Sequence, residues 1–164
     1  MENPDCVLAH SNLGDVYASS GRAAEAEREY HASLALQSEL PITRINLANL
    51  LTSQNRLEEA EAQYREALHL VPGFSAAHNN LGSLLARRGR LAEAGLHFEL
   101  AAKSRPDNAM AWTNLGKLLL RAGDPAGAEA MFEKARALET GTGEPLGYLP
   151  PTQRKFPQAA PGPQ

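Results

Sequence analysis

Residues 78–98 read HNNLGSLLARRGRLAEAGLHF, with Leu81-Gly82 early in an amphipathic stretch, Arg88-Gly89 interrupting it, and Ala94 four residues before Phe98. The pattern returns at a fixed step of 34 residues. Leu13-Gly14, Leu47-Ala48 and Leu115-Gly116 match Leu81-Gly82; Tyr30, Tyr64 and Phe132 match Phe98; Ala26, Ala60 and Ala128 match Ala94. Tyr17, Leu51, Leu85 and Leu119 keep the step, as do Ser33, Ala67, Ala101 and Ala135, while Pro4, Pro72 and Pro106 punctuate the boundaries. Self-similarity at such a period marks a stacked-repeat architecture. Windows 7–40, 41–74, 75–108 and 109–142 accommodate it with no insertion or deletion.

Each window carries two amphipathic helical stretches split by a turn, at Ser20-Gly21, Gln54-Asn55, Arg88-Gly89 and Ala122-Gly123-Asp124-Pro125. Gly and Asn suit the left-handed residue that ends a helix, and Asp124-Pro125 supplies an N-cap followed by a proline in the next first turn. The small residues at 14, 48, 82 and 116 and at 26, 60, 94 and 128 let two helices approach closely, while Leu and aromatic side chains fill the space beside them. A single hairpin cannot bury both faces, so neighbouring hairpins stack. The expected fold is all-α, a solenoid of four stacked helix-turn-helix hairpins.

Composition agrees. Of 164 residues, 28 are Ala and 24 Leu, against nine aromatics, a mixture that favours helix over strand. The single Cys6 excludes an internal disulfide framework and a multi-thiolate zinc site. A net charge of −3 argues against a partner bound through phosphate neutralisation, so nucleic acid is not expected. Met1-Glu2-Asn3-Pro4-Asp5 has no signal-peptide character, and no apolar run approaches the roughly 20 residues of a membrane span. The chain reads as soluble and cytoplasmic, or as a lumenal part of a membrane-anchored protein if it is a fragment.

The 34-residue unit resembles the tetratricopeptide repeat family over residues 7–140, in repeats 7–40, 41–74, 75–108 and 109–140. Where that family often has Trp near the start of the first helix, only Trp112 complies; His10, Arg44 and His78 do not, and Ser38 and Thr140 replace the closing proline. These departures are expected to soften local packing. The resemblance implies a right-handed superhelix whose first helices line a concave groove.

No catalytic signature is present: no Gly-rich phosphate loop after a strand, no paired metal-binding histidines on one helix turn, no lipase- or papain-type nucleophile motif. His10, His31, His69, His78 and His97 are scattered, and Gly141-Thr142-Gly143 reads as a helix stop. Neither an enzyme activity, a cofactor nor a metal is expected.

One periodic feature has no packing explanation. Asn12, Asn46, Asn80 and Asn114 stand one repeat apart, although Asn is a poor helix-interior residue. Two readings fit. The amides can pair with the backbone of an extended peptide in the groove, since each both donates and accepts; or they bond between adjacent hairpins and set the repeat geometry. The ladder, with His10-Ser11-Asn12-Leu13-Gly14 and His78-Asn79-Asn80-Leu81-Gly82, is similar to the repeat region of O-linked N-acetylglucosamine transferases and of membrane-anchored tetratricopeptide mannosyltransferases. In the former, the resemblance implies asparagines that hold substrate polypeptides.

Other groove positions are Ser11, Asp15 and Ser19; Ile45, Asn49 and Ser53; Asn79, Ser83 and Arg87; Thr113, Lys117 and Arg121. Residues 1–40 carry a net charge of −5 and residues 75–108 a net +2. Arg87, Lys117 and Arg121 are expected to favour an acidic segment or a terminal carboxylate. The chaperone-binding tetratricopeptide clamp is matched by Asn49 and Asn80, but Ile45, Met110 and Asn114 stand where it requires basic residues, which disfavours Hsp70 and Hsp90 tails.

Residues 1–6 read as the end of a preceding repeat or a lead, with Asp5 as N-cap of the first helix. No polar capping element is evident after Leu138; residues 141–164, with six prolines and four glycines, read as a disordered Pro-rich tail, in which Pro150-Pro151 with Arg154-Lys155 is a faint proline-motif ligand and Leu146, Tyr148 and Leu149 can fold back. The expected function is a scaffold binding an extended polypeptide through Asn12, Asn46, Asn49, Asn80, Asn114, Arg87, Lys117 and Arg121. The alternative is the substrate-recognition arm of a glycosyltransferase whose catalytic part lies elsewhere, and self-association through uncapped ends is a further possibility.

Overall fold

Four residues in the left-handed region, Gly21 (φ 75°), Asn55 (62°), Gly89 (77°) and Gly123 (81°), cut the chain into helix hairpins at the expected turns. At each, the following N–H reaches back around the turn: Arg22 to Tyr17, Arg56 to Leu51, Arg90 to Leu85 and Asp124 to Leu119, all at 2.9 Å. This closure satisfies carbonyls that the helix end would leave without partners. The computed structural model describes residues 4–141, with side chains from Cys6 onward. The expected Pro-rich tail, its motif at 150–155 and Leu146, Tyr148 and Leu149 lie outside the described residues.

The described residues form eight helices and no strand: α1 (Pro4–Ser19), α2 (Ala23–Leu36), α3 (Pro41–Ser53), α4 (Leu57–Leu70), α5 (Ser75–Arg87), α6 (Leu91–Ser104), α7 (Ala109–Arg121) and α8 (Pro125–Thr140). Asp124 caps α8 as expected, its carboxylate accepting from the Gly127 N–H at 2.8 Å behind Pro125, and Gly141 (φ 65°) stops it. One capping expectation is corrected: α1 already begins at Pro4, so Asp5 lies within its first turn. In the other three hairpins the position of Asp124 is taken by Arg22, Arg56 and Arg90, which do not cap. Each instead pairs with the glutamate three residues on, Glu25, Glu59 and Glu93, at 2.9, 2.6 and 2.5 Å. That holds the acidic group in the first turn, where the helix dipole favours it.

The helices group into two compact units, Met1–Pro72 and Gly73–Gln164. In the first, α1 packs on α2 and α3 on α4, with the second hairpin stacked on the first through α2–α3 and α1–α3; in the second, α5 to α8 repeat the same pattern. Within hairpins the small-residue positions do what the spacing predicts. A Cβ on Gly14 would lie 2.5 Å from the Tyr30 ring, on Gly82 2.8 Å from Phe98, and on Gly116 2.7 Å from Phe132. Ala26, Ala60, Ala94 and Ala128 are wholly buried.

The missing tryptophans are replaced by polar pairs 19 residues apart, each joining the two helices of one hairpin. His10 Nδ1 meets Glu29 Oε2 at 2.6 Å, Arg44 donates to Gln63 Oε1 at 2.9 Å, and the His78 and His97 Nδ1 atoms are 2.9 Å apart. Trp112 donates to the Pro106 carbonyl at 3.0 Å and lies under the Lys134 ammonium, 4.6 Å from its ring centre. Among the described residues no buried side-chain N or O atom lacks a partner. On α8, Glu129, Glu133 and Arg136 are turned to solvent.

Candidate functional site

In the first unit the inner helices α1 and α3 flank an open cleft of about 480 Å³ lined by Asp15, Ala18, Tyr30, Asn46, Asn49, Leu50 and Ser53. Its polar wall is a fixed network. Asp15 Oδ1 accepts from the Tyr30 hydroxyl at 2.7 Å and from Asn46 Nδ2 at 2.8 Å. Asn49 Oδ1 accepts from the Tyr64 hydroxyl at 2.6 Å. Burial first, and then the Asp15 carboxylate, push the Tyr30 phenol well above the usual tyrosine range, so it stays a donor. Asn12 lies exposed on α1, one turn before the cleft.

The second unit is built differently. Asn114 Nδ2 donates to Asn79 Oδ1 at 2.9 Å, because the position of Asp15 is here Ser83, whose hydroxyl is turned to the Asn79 carbonyl at 3.0 Å. Asn80 is half-buried on α5. Arg121 on α7 donates to the Ala86 carbonyl of α5 at 3.2 Å, Lys117 is exposed beside it, and Arg87 is exposed at the end of α5. Neither α5 nor α7 contains an acidic residue. These two inner helices therefore present cations only, whereas α1 contributes Asp15 to its cleft.

Asn46 and Asn114 bond between neighbouring hairpins, in the geometry-setting role, while Asn46 also lines the cleft with Asn49. Asn12, Asn46 and Asn49 share the first unit, and Asn80, Asn114, Arg87, Lys117 and Arg121 the second. Tyr30 is a cleft residue that its core position hid; the signal is Tyr rather than Phe at 30 and 64. Among the described residues no three His, Cys, Asp or Glu side chains gather to hold a metal, and no helix is long and apolar enough to cross a membrane.

Three family models, each described as tetratricopeptide repeat, match residues 5–71, 45–109 and 85–144 and together run through all four hairpins. The chain belongs to the tetratricopeptide repeat family. No curated protein sequence matches this tetratricopeptide repeat chain. Among solved structures it is similar to MamA, at 19% identity and a TM-score of 0.77, covering 85% of this chain and 81% of that one. It is also similar to BtubC (BKLC) from P. vanneervenii, at 25% identity and a TM-score of 0.79 over 94% of this chain and 70% of that one. A third is the first tetratricopeptide domain of Spaghetti (RPAP3) bound to the HSP90 peptide SRMEEVD, at 21% identity and a TM-score of 0.70 over 74% and 96%. These likenesses are likenesses of fold.

Proposed function

We propose that this tetratricopeptide repeat chain is a non-catalytic protein-interaction scaffold that holds extended polypeptide on its inner helices. The observation that carries the reading is the cleft between α1 and α3, where amide and carboxylate groups stand beside the apolar Ala18 and Leu50. Such a wall offers donors and acceptors to a peptide backbone with little regard to its side chains. The acid-free α5 and α7 surface, with Arg87, Lys117 and Arg121, favours acidic segments. The Spaghetti domain holds an acidic HSP90 peptide. The basic residues of the chaperone-type clamp are absent here, Ile45 being buried and Met110 apolar, so a different acidic ligand is implied. The glycosyltransferase-arm reading rests on the asparagine phase alone.

The test is selection from a display library of unstructured peptides on the intact chain. Acidic peptides are expected to be enriched. Ala18→Trp, which fills the cleft, and the pair Lys117→Glu with Arg121→Glu are each expected to lower affinity at least about ten-fold with the helical circular dichroism signal unchanged. An unenriched library, or the same enriched peptides on both variants, overturns the reading.

A further inference from the structure

The repeat position of Asp15 is held by Asn49, Ser83 and Lys117 in the other three hairpins, so Asp15 is its only acid. The structural tasks of that position do not call for a charge. Asn49 accepts the Tyr64 hydroxyl at 2.6 Å as Asp15 accepts that of Tyr30 at 2.7 Å. Asn114 finds its acceptor in the neutral amide of Asn79 at 2.9 Å, as Asn46 finds Asp15 at 2.8 Å. An amide oxygen thus serves both tasks, and the negative charge at position 15 is more than the packing of the hairpins requires.

That charge also has no counter-charge within the protein. Both donors to Asp15, Tyr30 and Asn46, are neutral and both reach Oδ1, so Oδ2 takes no hydrogen bond and the carboxylate makes no ion pair among the described residues. α1 has no Lys or Arg, and Arg44, the one basic residue of α3, is turned to the Ser38 carbonyl and Gln63. Arg22 pairs with Glu25 and lies over the Tyr17 ring. No Lys, Arg or His lines the cleft. Ser53, also in its wall, donates to the Leu50 carbonyl at 2.6 Å, which leaves its oxygen as an acceptor. Ala18 and Leu50 add apolar surface beside these acceptors.

We propose that the cleft between α1 and α3 takes the side chain of a lysine or arginine of the bound polypeptide, its methylenes along Ala18 and Leu50 and its cationic head on Asp15 Oδ2. Long basic side chains lie along apolar surface in this way while the head keeps polar company. A charge-assisted bond to a carboxylate is also stronger than the neutral bonds the rest of the wall offers. The inference rests on the polypeptide-binding reading and adds selection at one side chain, so that a basic residue is preferred at one place in an otherwise acidic segment. In the second unit Ser83 and Lys117 hold the position, and the preference belongs to the first unit alone.

Amide NMR of the intact chain, titrated to about 50 mM with N-acetyl-lysine amide and separately with N-acetyl-norleucine amide, tests the site without any polypeptide, the second probe having the stem without the charge. The lysine probe is expected to shift the side-chain amide signals of Asn46 and Asn49, and the norleucine probe to leave them in place. Asp15→Asn, which keeps an acceptor for Tyr30 and Asn46, is expected to weaken the lysine response about three-fold or more. Peptides selected on the intact chain are expected to share one Lys or Arg whose replacement by Gln loses a similar factor on the natural chain and nothing on Asp15→Asn. Equal responses to the two probes, no response to either, or a lysine response untouched by Asp15→Asn overturns the proposal. Selected peptides indifferent to the Gln replacement also overturn it, while leaving the polypeptide-binding reading in place. A lysine response that needs Asp15, with no peptide enriched, supports the site and overturns that wider reading instead.

Discussion

Tyr30 and Asp15 are joined across the first hairpin at 2.7 Å, and the carboxylate oxygen that receives the phenol also receives Asn46 of the next hairpin. One acidic oxygen therefore links a core aromatic, the wall of the cleft and the stacking of two repeats. In the second unit the aromatic positions are Phe98 and Phe132, and no such link can form.

The raised phenol of Tyr30 makes stability sensitive to alkali. A tyrosine whose folded value lies above its unfolded one contributes stabilisation that is complete below about pH 10 and is lost as pH rises beyond it. The urea midpoint is expected to fall above that pH, and Tyr30→Phe to flatten the fall. At neutral pH the same substitution should cost about 1 kcal/mol, because Asp15 loses a donor.

Repeat two differs from the others in having Ala48 where they have glycine. Gly82→Ala puts a Cβ 2.8 Å from the Phe98 ring and 3.2 Å from the Ala94 carbonyl, so ring and backbone must both yield. An overpacking cost of about 1–3 kcal/mol is expected in urea titrations, and Gly14→Ala and Gly116→Ala should fall in the same range. A loss below about 0.5 kcal/mol at all three would show that the hairpins relax freely.

Asn55 is the one non-glycine residue at positive φ among the described residues, at 62°. Asn55→Gly should be neutral or slightly stabilising, whereas Gly89→Ala, at φ 77°, should cost about 1–2 kcal/mol. Thermal unfolding of the two variants side by side checks the contrast.

Glu25 and Glu59 are held below the usual glutamate range, chiefly by hydrogen bonds from Arg22 and Arg56 respectively, and Asp107 below the usual aspartate range by Arg105. A depressed carboxylate stabilises the fold above its unfolded value, and that support is lost as pH falls through the folded one. Carboxyl NMR titration should show all three ionising at lower pH than free side chains. Arg22→Gln and Arg56→Gln should return Glu25 and Glu59 toward ordinary values, and added salt should do so in part, since these pairs are open to solvent.

The repeat length, the turn residues, the glycine and alanine contacts and the Asp124 cap were legible because each is a local demand on one residue type. What was not legible depends on partners in other elements. Asn46 and Asn114 occupy the same repeat position, yet one donates to Asp15 and the other to Asn79, because Asp15 and Ser83 differ one hairpin earlier. The replacements for tryptophan looked like defects when His10, Arg44 and His78 were read singly; Glu29, Gln63 and His97 complete them at a constant separation of 19 residues. The exposure of Glu129 and Arg136 on α8 stands out only in comparison with buried Gly95 and Ala102, which hold the same positions one repeat earlier.

Those pairs also bear on how such a chain can change length. Each is completed inside its own hairpin, so losing or duplicating a stretch of 34 residues within the first three repeats leaves every pair with a partner, including when the cut falls between its two members. The member exchanged is then the one from a neighbouring copy, and unequal recombination would create combinations such as Arg44 facing His97 or His78 facing Gln63. Both combinations still offer a donor an acceptor, the first through a neutral imidazole and the second through an amide oxygen. The positions that depart furthest from the family pattern are thereby tolerant of the gain and loss of whole repeats by which such genes lengthen and shorten.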